Sequence, residues 1–225
     1  MQNKEWAEEL KRESDRDNYP QWPNEVMLKV IFGSYLEKKF TLQENANVLD
    51  IGCFFGNNLF PFAAKGANCY GVDIHEDIVE KADSIFKKKG YVGNFAKGSN
   101  SSIPHPDNTF DLLVSVNTIH YQPSRESIIN AMEEFKRVLK PGGRFYISTV
   151  GSNHDIRKKA IKIEDNLYEI NNWDFRDGQK FHFFEDEDDL SKLLNDFFVN
   201  VEVGEITEQL MKHTLGFYVA TGEKS

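Results

Sequence analysis

In the segment Val48-Leu49-Asp50-Ile51-Gly52-Cys53-Phe54-Phe55-Gly56, the pattern is that of a short buried strand that runs into a turn with glycines and then a helix. The apolar residues suit a parallel strand covered on both faces. Gly52 and Gly56 bracket a turn in which the backbone can approach a ligand closely. Open parallel sheets bind ligands at the carboxyl ends of their strands, beside the N-termini of helices. The segment therefore predicts a ligand-binding junction, with the acid Asp50 within it.

The glycine spacing of this turn limits the choice of ligand. A dinucleotide-binding turn has the pattern Gly-x-Gly-x-x-Gly. This chain instead has Asp50-x-Gly52-x-x-x-Gly56, and a second acid, Asp73, lies near the end of the next apolar run, residues 69–74. The pattern therefore argues against an NAD-dependent oxidoreductase.

Two further segments complete an ordered set of motifs between about residues 46 and 150. Residues 103–117 contain a polar lead-in and a buried strand that ends at Asn117, and residues 139–145 contain a Pro-Gly-Gly turn before another strand. Together with the two acidic segments, they resemble the class I S-adenosylmethionine-dependent methyltransferases, of the small-molecule type often called methyltransferase type 11. The resemblance implies an α/β, Rossmann-like seven-stranded sheet. It is expected to be mostly parallel with a C-terminal antiparallel hairpin, and to have helices on both faces.

The chain is predicted to form a single methyltransferase domain over residues 1–225, a length that suits one domain with a full core. An N-terminal helical cap is expected at 1–40 and the cofactor-binding core at 46–150. An acceptor-side insertion is expected at 151–184, and a C-terminal helix and hairpin at 185–225. The expected helices cover 4–17, 25–39 with Asn24 as the cap, 57–65, 76–89 and 124–138. The remaining expected strands cover 91–97, 144–149, 197–206 and 215–221.

The composition limits the classes of partner that we expect this protein to bind. The formal net charge of −9 and the pI of 5.2 give no basic field for nucleic acid. No apolar run reaches the roughly 18 residues of a membrane span, and the N-terminal residues are charged, so we expect no membrane partner and a cytoplasmic location. The two cysteines, Cys53 and Cys69, fall in or beside predicted buried strands, and no metal site is expected. The oligomeric state is left open between monomer and homodimer.

The resemblance implies S-adenosylmethionine as the cofactor and S-adenosylhomocysteine as its product. The methionine half would meet the loop after the first strand, the ribose hydroxyls would meet Asp73, and the adenine would meet the next two loops. Tyr19 and Trp22 would form a lid, or alternatively pack at a turn. The implied cofactor-binding residues are Asp50, Gly52, Cys53, Gly56, Asn58, Asp73, Ile74, Ser99, Asn100, Asn117, Tyr19 and Trp22.

Two departures from the family pattern suggest an alternative. Ser99 stands where an acid commonly accepts from the adenine amino group, and Phe54 stands where a small residue is common. A neutral hydroxyl is a weaker acceptor than a carboxylate, so adenine binding could differ. The alternative function is a non-catalytic protein that binds the cofactor or a nucleoside, as a sensor or as the silent partner of a complex.

The expected reaction is in-line methyl transfer to the oxygen or nitrogen of a small metabolite. His120 is the candidate general base, because histidine titrates near neutral pH, although a hydrogen-bonded residue at a turn is the alternative. The insertion combines cations with aromatic residues, which favours an anionic acceptor. It could equally be a helix with a solvated basic face and aromatic residues on the flank. The candidate substrate-binding residues are His120, Tyr121, His154, Arg157 and Trp173.

Overall fold

The computed structural model describes residues 22–173 and 176–225. Its helices are α1 (Glu25–Phe32), α2 (Phe60–Ala63), α3 (Glu76–Lys88), α4 (Arg125–Val138), α5 (Asp155–Lys159) and α6 (Glu187–Asn195). Its strands are β1 (Asn47–Ile51), β2 (Asn68–Asp73), β3 (Gly93–Lys97), β4 (Phe110–Val116), β5 (Leu139–Val150), β6 (Ile161–Glu164), β7 (Leu167–Glu169), β8 (Lys180–His182), β9 (Val199–Leu210) and β10 (His213–Glu223). Single 3₁₀ turns occupy Asn57–Leu59 and Ile119–Tyr121.

A seven-stranded sheet organises the molecule, in the order β3-β2-β1-β4-β5-β10-β9. The pairs β2–β3, β1–β2, β1–β4 and β4–β5 are parallel. The hairpin of β9 and β10 is antiparallel and joins the sheet through β5. The predicted fold class is therefore confirmed, including its C-terminal antiparallel hairpin.

Successive residues along the central strands pack alternately into two apolar cores, one on each face of the sheet. Val48, Leu112 and Val114 pack with residues of α1, α2 and α3. Leu49 and Leu113 belong to the other core, together with residues of α4 and α6. A sheet covered on both faces needs such continuous apolar strands, which is why β1 and β4 could be predicted from sequence.

Several predicted helix ends are confirmed by their caps. The Asn24 side chain accepts from the Met27 N–H at 2.8 Å and begins α1. The Asp186 side chain accepts from the Asp189 N–H at 2.8 Å, so the acidic run there starts α6. The lysine run at the end of α3 is followed by Gly90 with φ +79°, a left-handed residue that stops the helix.

Two predicted helices are shorter than expected. The helix expected at 25–39 ends at Phe32, because Gly33 adopts an extended conformation while its N–H donates to the Lys29 carbonyl at 2.9 Å. The helix expected at 57–65 is a 3₁₀ turn followed by α2, which is four residues long. Both segments remain helical only as far as they pack on the sheet.

The insertion is not the helix considered from sequence. Among the described residues of the insertion, α5 alone is helical, and β6, β7 and β8 form a separate three-stranded antiparallel sheet. Aromatic and β-branched residues in these strands suit a half-buried sheet better than a solvated helix. In the part of the chain that the structure describes, no helix has the length and apolar character to cross a membrane.

Candidate cofactor and acceptor site

Loops from four neighbouring parallel strands meet at one edge of the sheet. They follow β1, β2, β3 and β4, and in a parallel sheet these carboxyl ends lie on the same side. The Phe54 N–H donates to an oxygen of Asp73 at 3.1 Å, which joins the first two loops. The Thr118 hydroxyl donates to Asn100 Oδ1 at 3.1 Å, which joins the last two.

The glycine turn after β1 requires glycine at its first position. Gly52 has φ +67°, and a Cβ placed there would lie 2.4 Å from Thr118 Cγ2. Its N–H donates to the Val72 carbonyl at 2.8 Å, and the Cys53 N–H donates to the same oxygen at 3.1 Å. The Gly56 N–H donates to the Cys53 carbonyl at 2.8 Å. These N–H groups thus hold the turn together, and Thr118 covers it.

Asp50 lies beneath this turn and is completely buried. Among the described residues, no donor meets hydrogen-bond geometry at either oxygen of its carboxylate. Burial raises the pKa of this carboxyl to about 8, with the nearby Asn58 side chain opposing the shift and Asp73 adding to it. A buried acid is costly when ionised unless it is paired, so the site can accommodate a cationic or hydrogen-bonding ligand group beside Asp50.

Asp73, at the end of β2, is held by the backbone on both sides of its carboxylate. One oxygen accepts from Phe54 N–H and the other accepts from His75 N–H at 3.2 Å. Burial raises the pKa of this carboxyl, while these N–H groups act in the opposite direction. Each carboxylate oxygen has a second acceptor direction, so Asp73 can still bind a diol.

The side chain of Phe54 lies away from this carboxylate, in the apolar cluster of Phe55, Ile78 and Ile85. Its ring centroid is 3.8 Å from that of Phe55. Phe54 itself has φ +47°, a conformation unusual for a bulky residue. The turn thus accommodates the large side chain by packing it beside α3.

The loops after β2 and β3 carry the residues expected near adenine. Ile74 is 45% exposed although it is apolar. Ser99 forms a tight two-way backbone bridge with Ser102, at 3.0 and 3.2 Å. Asn100 accepts from Thr118 and is thereby tied to the glycine turn.

Asn117, in the loop after β4, lines a cavity of about 230 Å³. It has φ +56°, its N–H donates to the Ser148 carbonyl at 3.0 Å, and its side-chain oxygen accepts from the Ser148 hydroxyl at 3.0 Å. Asn117 directly precedes Thr118 and is therefore next to the cover of Gly52. The cavity is lined by Asn117, His120, Tyr121, Val150, His154, Ile156, Trp173, Arg176, Phe181, Leu215 and Phe217.

Both histidines of the cavity are buried and neutral near pH 7. Burial, together with the charge of Arg176 and the proximity of His154, lowers the pKa of His120 to about 3. Burial is also the main cause that lowers the pKa of His154 to about 4. The Nδ1 of His120 lies 3.4 Å from the Thr149 hydroxyl, and its ring packs on Phe181 with centroids 4.7 Å apart. A histidine with this pKa is a weak base but a good hydrogen-bonding group.

The structure places four of the five candidate substrate residues in this cavity. Arg157 is elsewhere, because its guanidinium donates to the Phe184 carbonyl and lies over the Phe183 ring. Sequence reasoning missed Arg176, Phe181 and Phe217, which also line the cavity. No local motif marks these residues, although Phe181 and its neighbours alternate as a strand would.

The remaining expected cofactor residues are Asn58, Cys53, Trp22 and Tyr19. Asn58 accepts from the Asn24 N–H at 3.0 Å and so ties α1 to the glycine turn. Cys53 and Cys69 are buried and not disulfide-bonded. Trp22 is 80% exposed at the start of the described chain, and Tyr19 lies outside the described residues.

A larger open groove, of about 810 Å³, lies along the first residues of β2 and β3 and along α3. Its lining includes none of Asp50, Asp73 and Asn117. The smaller cavity, in contrast, is lined by Asn117, the residue next to Thr118. Within residues 22–173 and 176–225, no three His, Cys, Asp or Glu side chains are grouped so that they could hold a metal ion.

Comparison with known proteins agrees with this geometry. The family described as a methyltransferase domain matches residues 49–147. The sterol 4-C-methyltransferase strm-1 of Caenorhabditis elegans is 30% identical over 126 residues, which are 55% of this chain and 37% of that protein. The uncharacterized methyltransferase YcgJ of Bacillus subtilis is 35% identical over 101 residues, 44% of this chain and 39% of that protein. The chain thus spans well under two-thirds of the length of these relatives.

Solved structures show the same fold across nearly the whole chain. A SAM-dependent methyltransferase from Methanosarcina mazei superimposes with a TM-score of 0.68 at 23% identity, covering 90% of this chain and 99% of that one. One from Aquifex aeolicus gives a TM-score of 0.56 at 22% identity, covering 95% and 97%. Family and fold imply S-adenosylmethionine as the cofactor. Residues 49–147 thus match a methyltransferase domain, and the fold of the chain is that of S-adenosylmethionine-dependent methyltransferases of known structure.

Proposed function

We propose that this protein transfers a methyl group from S-adenosylmethionine to the oxygen or nitrogen of a small, anionic metabolite. The proposal rests on one observation: the glycine turn, where the cofactor would bind, and the aromatic cavity, where the acceptor would bind, are joined by two consecutive residues. Thr118 covers the glycine turn, and its neighbour Asn117 lines the aromatic cavity. A cofactor over the turn and an acceptor in the cavity would therefore meet at Asn117.

The residues present fit the cofactor. Asp50 has a buried carboxylate to which no described donor lies in hydrogen-bond geometry, which suits the ammonium group of the methionine half. Asp73 is oriented by two N–H groups and suits the ribose hydroxyls. The exposed Ile74 suits the adenine face. When bound, S-adenosylmethionine supplies a methyl group already activated on a sulfonium.

The protein's own task is then to align the acceptor and exclude water. Four aromatic side chains line the cavity, of which Phe181 is fully buried, and the Asn117 side chain is fixed by Ser148. His120 remains a proposal as the base. Its low pKa suits it better to accept a hydrogen bond from the acceptor and so orient its nucleophile. An acceptor that is already ionised, or an amine, needs no strong base.

The cavity favours a small acceptor over a large one. Its volume of about 230 Å³ lies below the roughly 300–1,000 Å³ of sites that hold drug-sized ligands. Several curated relatives are named sterol C-methyltransferases, including those of Caenorhabditis elegans and Gibberella zeae. We do not extend sterols to this chain, because a four-ring skeleton would need a larger space.

Calorimetric titration with S-adenosylmethionine, S-adenosylhomocysteine and NAD tests the cofactor assignment. We expect both sulfur ligands to bind and NAD to give no heat. Absence of binding by either sulfur ligand would contradict the proposal. Binding of both without transfer to any acid, phenol or amine in a broad acceptor screen would instead favour the non-catalytic alternative.

A further inference from the structure

The acceptor cavity combines aromatic walls with the permanent positive charge of Arg176. Its walls include the rings of Tyr121, Trp173, Phe181 and Phe217. Tyr121 and Phe181 meet edge to face, with centroids 4.6 Å apart. Of the described residues in the lining, only Arg176 carries a charge that persists at every physiological pH.

The position of Arg176 is set by contacts within the cavity wall. Its Nε donates to the Tyr121 hydroxyl at 3.4 Å. Its charge reaches both histidines, because it contributes to the lowered pKa of His120 and of His154. The two imidazoles therefore stay neutral, and Arg176 contributes positive potential to the described lining of the cavity.

We infer that Arg176 binds the anionic group of the acceptor and that the acceptor is a small planar ring acid. The inference rests on the proposed function and names the substrate class of the same site. A guanidinium binds a carboxylate through paired hydrogen bonds, which fix orientation as well as add affinity. The edges and faces of the surrounding rings suit a flat unsaturated ring. Arg176 is thus a specificity-determining residue.

The test uses benzoate and its neutral, similarly shaped analogue benzamide as probes. Binding of each is measured by calorimetry on the full chain saturated with S-adenosylhomocysteine. Small fragments of this kind are expected to bind in the millimolar range. We expect benzoate to bind the wild-type protein about tenfold or more tightly than benzamide, as for one charged hydrogen-bonded contact.

The variants Arg176→Gln and Arg176→Lys separate charge from shape. Arg176→Gln should weaken benzoate at least about tenfold and leave benzamide within about threefold. Arg176→Lys should lie between the two, since it keeps the charge without the planar fork. Lys162→Gln is the matched control, because Lys162 is an exposed cation on β6 of the same insertion and lies outside the cavity. It should bind both probes like the wild type.

The inference is overturned if wild-type protein binds the two probes equally, or neither, or if Arg176→Gln leaves benzoate binding unchanged. If Arg176→Gln does not fold, the benzoate-to-benzamide ratio in the wild type and in Arg176→Lys decides the question. S-adenosylhomocysteine binding, measured first, separates the two proposals. Its loss in the wild type contradicts the proposed function, whereas its retention with no preference for benzoate contradicts only the role of Arg176.

Discussion

Asp50 shows how a single buried acid can tie stability to ligand binding. No described donor meets hydrogen-bond geometry at its carboxylate, and burial raises its pKa to about 8 although the nearby Asn58 side chain opposes the shift. In the unfolded chain the same group has its ordinary pKa near 3.8. Between these values the folded protein holds a proton that the unfolded chain has lost. The contribution of Asp50 to stability is therefore full below about pH 4 and lost as the pH rises through about 8.

Replacing Asp50 with Asn should remove this dependence. We expect the ligand-free variant to gain stability relative to the wild type as the pH rises, by up to about 1.4 kcal/mol per pH unit between pH 5 and 8. Urea unfolding at several pH values measures it. Parallel curves for the two proteins would refute the assignment. The same variant should bind S-adenosylmethionine more weakly, because it lacks the charge for the ammonium group.

Asp73 should contribute directly to cofactor binding. Asp73→Ala is expected to cost about 2 kcal/mol or more of S-adenosylmethionine affinity, on the scale of hydrogen bonds to a charged group. Calorimetry measures the loss. Asp77→Ala, in the first turn of α3, is the control that changes charge nearby without touching the ribose site. Equal affinities of Asp73→Ala and the wild type would exclude the ribose role.

At the scale of elements, the loop after β1 and the loop after β4 depend on each other. Gly52→Ala should destabilise the protein by about 2 kcal/mol or more, because the left-handed φ costs roughly 1–2 kcal/mol and the new Cβ meets Thr118 Cγ2 at 2.4 Å. Thermal and urea unfolding measure the change, and cofactor affinity should fall with it.

A second substitution tests the contact itself. Thr118→Ser removes Cγ2 but keeps the hydroxyl that bonds Asn100. In the Gly52→Ala background it should recover part of the lost stability, whereas in the wild-type background it should be neutral or mildly destabilising. Strict additivity of the two changes would show that Thr118 does not cover the turn.

At the scale of the whole molecule, we expect buried histidines to determine how the stability of the folded protein decreases at acidic pH. Burial lowers the pKa of His120 to about 3, and those of His154 and His182 to about 4. Their contribution is full above the ordinary value near 6.5 and is lost as the pH falls towards 4. Because Asp50 acts in the opposite direction, we expect maximum stability near pH 6.5, with a steeper fall on the acid side.

The variant His182→Phe tests the contribution of His182 to this pH dependence of stability. Both ring nitrogens of His182 are buried without a hydrogen-bond partner in the described residues, so a phenyl ring should fit at little cost. The variant should lose less stability than the wild type between pH 6.5 and 4, by up to about 1.4 kcal/mol per pH unit, and match it near pH 7. If the variant loses as much stability as the wild type between pH 6.5 and 4, His182 does not titrate in this range.

The sequence by itself determined the fold and the cofactor loops. Local sequence suffices to recognise several features: the apolar runs of β1 and β4, the cap at Asn24, the acidic start of α6, and the two acids in the adjacent strands β1 and β2. Their convergence follows from parallel pairing, since carboxyl ends of neighbouring strands share an edge. The roles of the individual cofactor residues remain predictions.

Only the tertiary structure decided which residues form the cavity beside Asn117, the proposed acceptor site. Tyr121 and Arg176 are 55 residues apart, and Phe217 comes from the last strand, so no spacing in the sequence brings them together. The small sheet of β6, β7 and β8 brings Phe181 against His120, while Arg157 after β5 turns to the Phe184 carbonyl instead. Burial then lowers the pKa of His120, which composition alone could not show. Contacts between distant segments and the removal of water are properties of packing, and a local pattern does not encode either one.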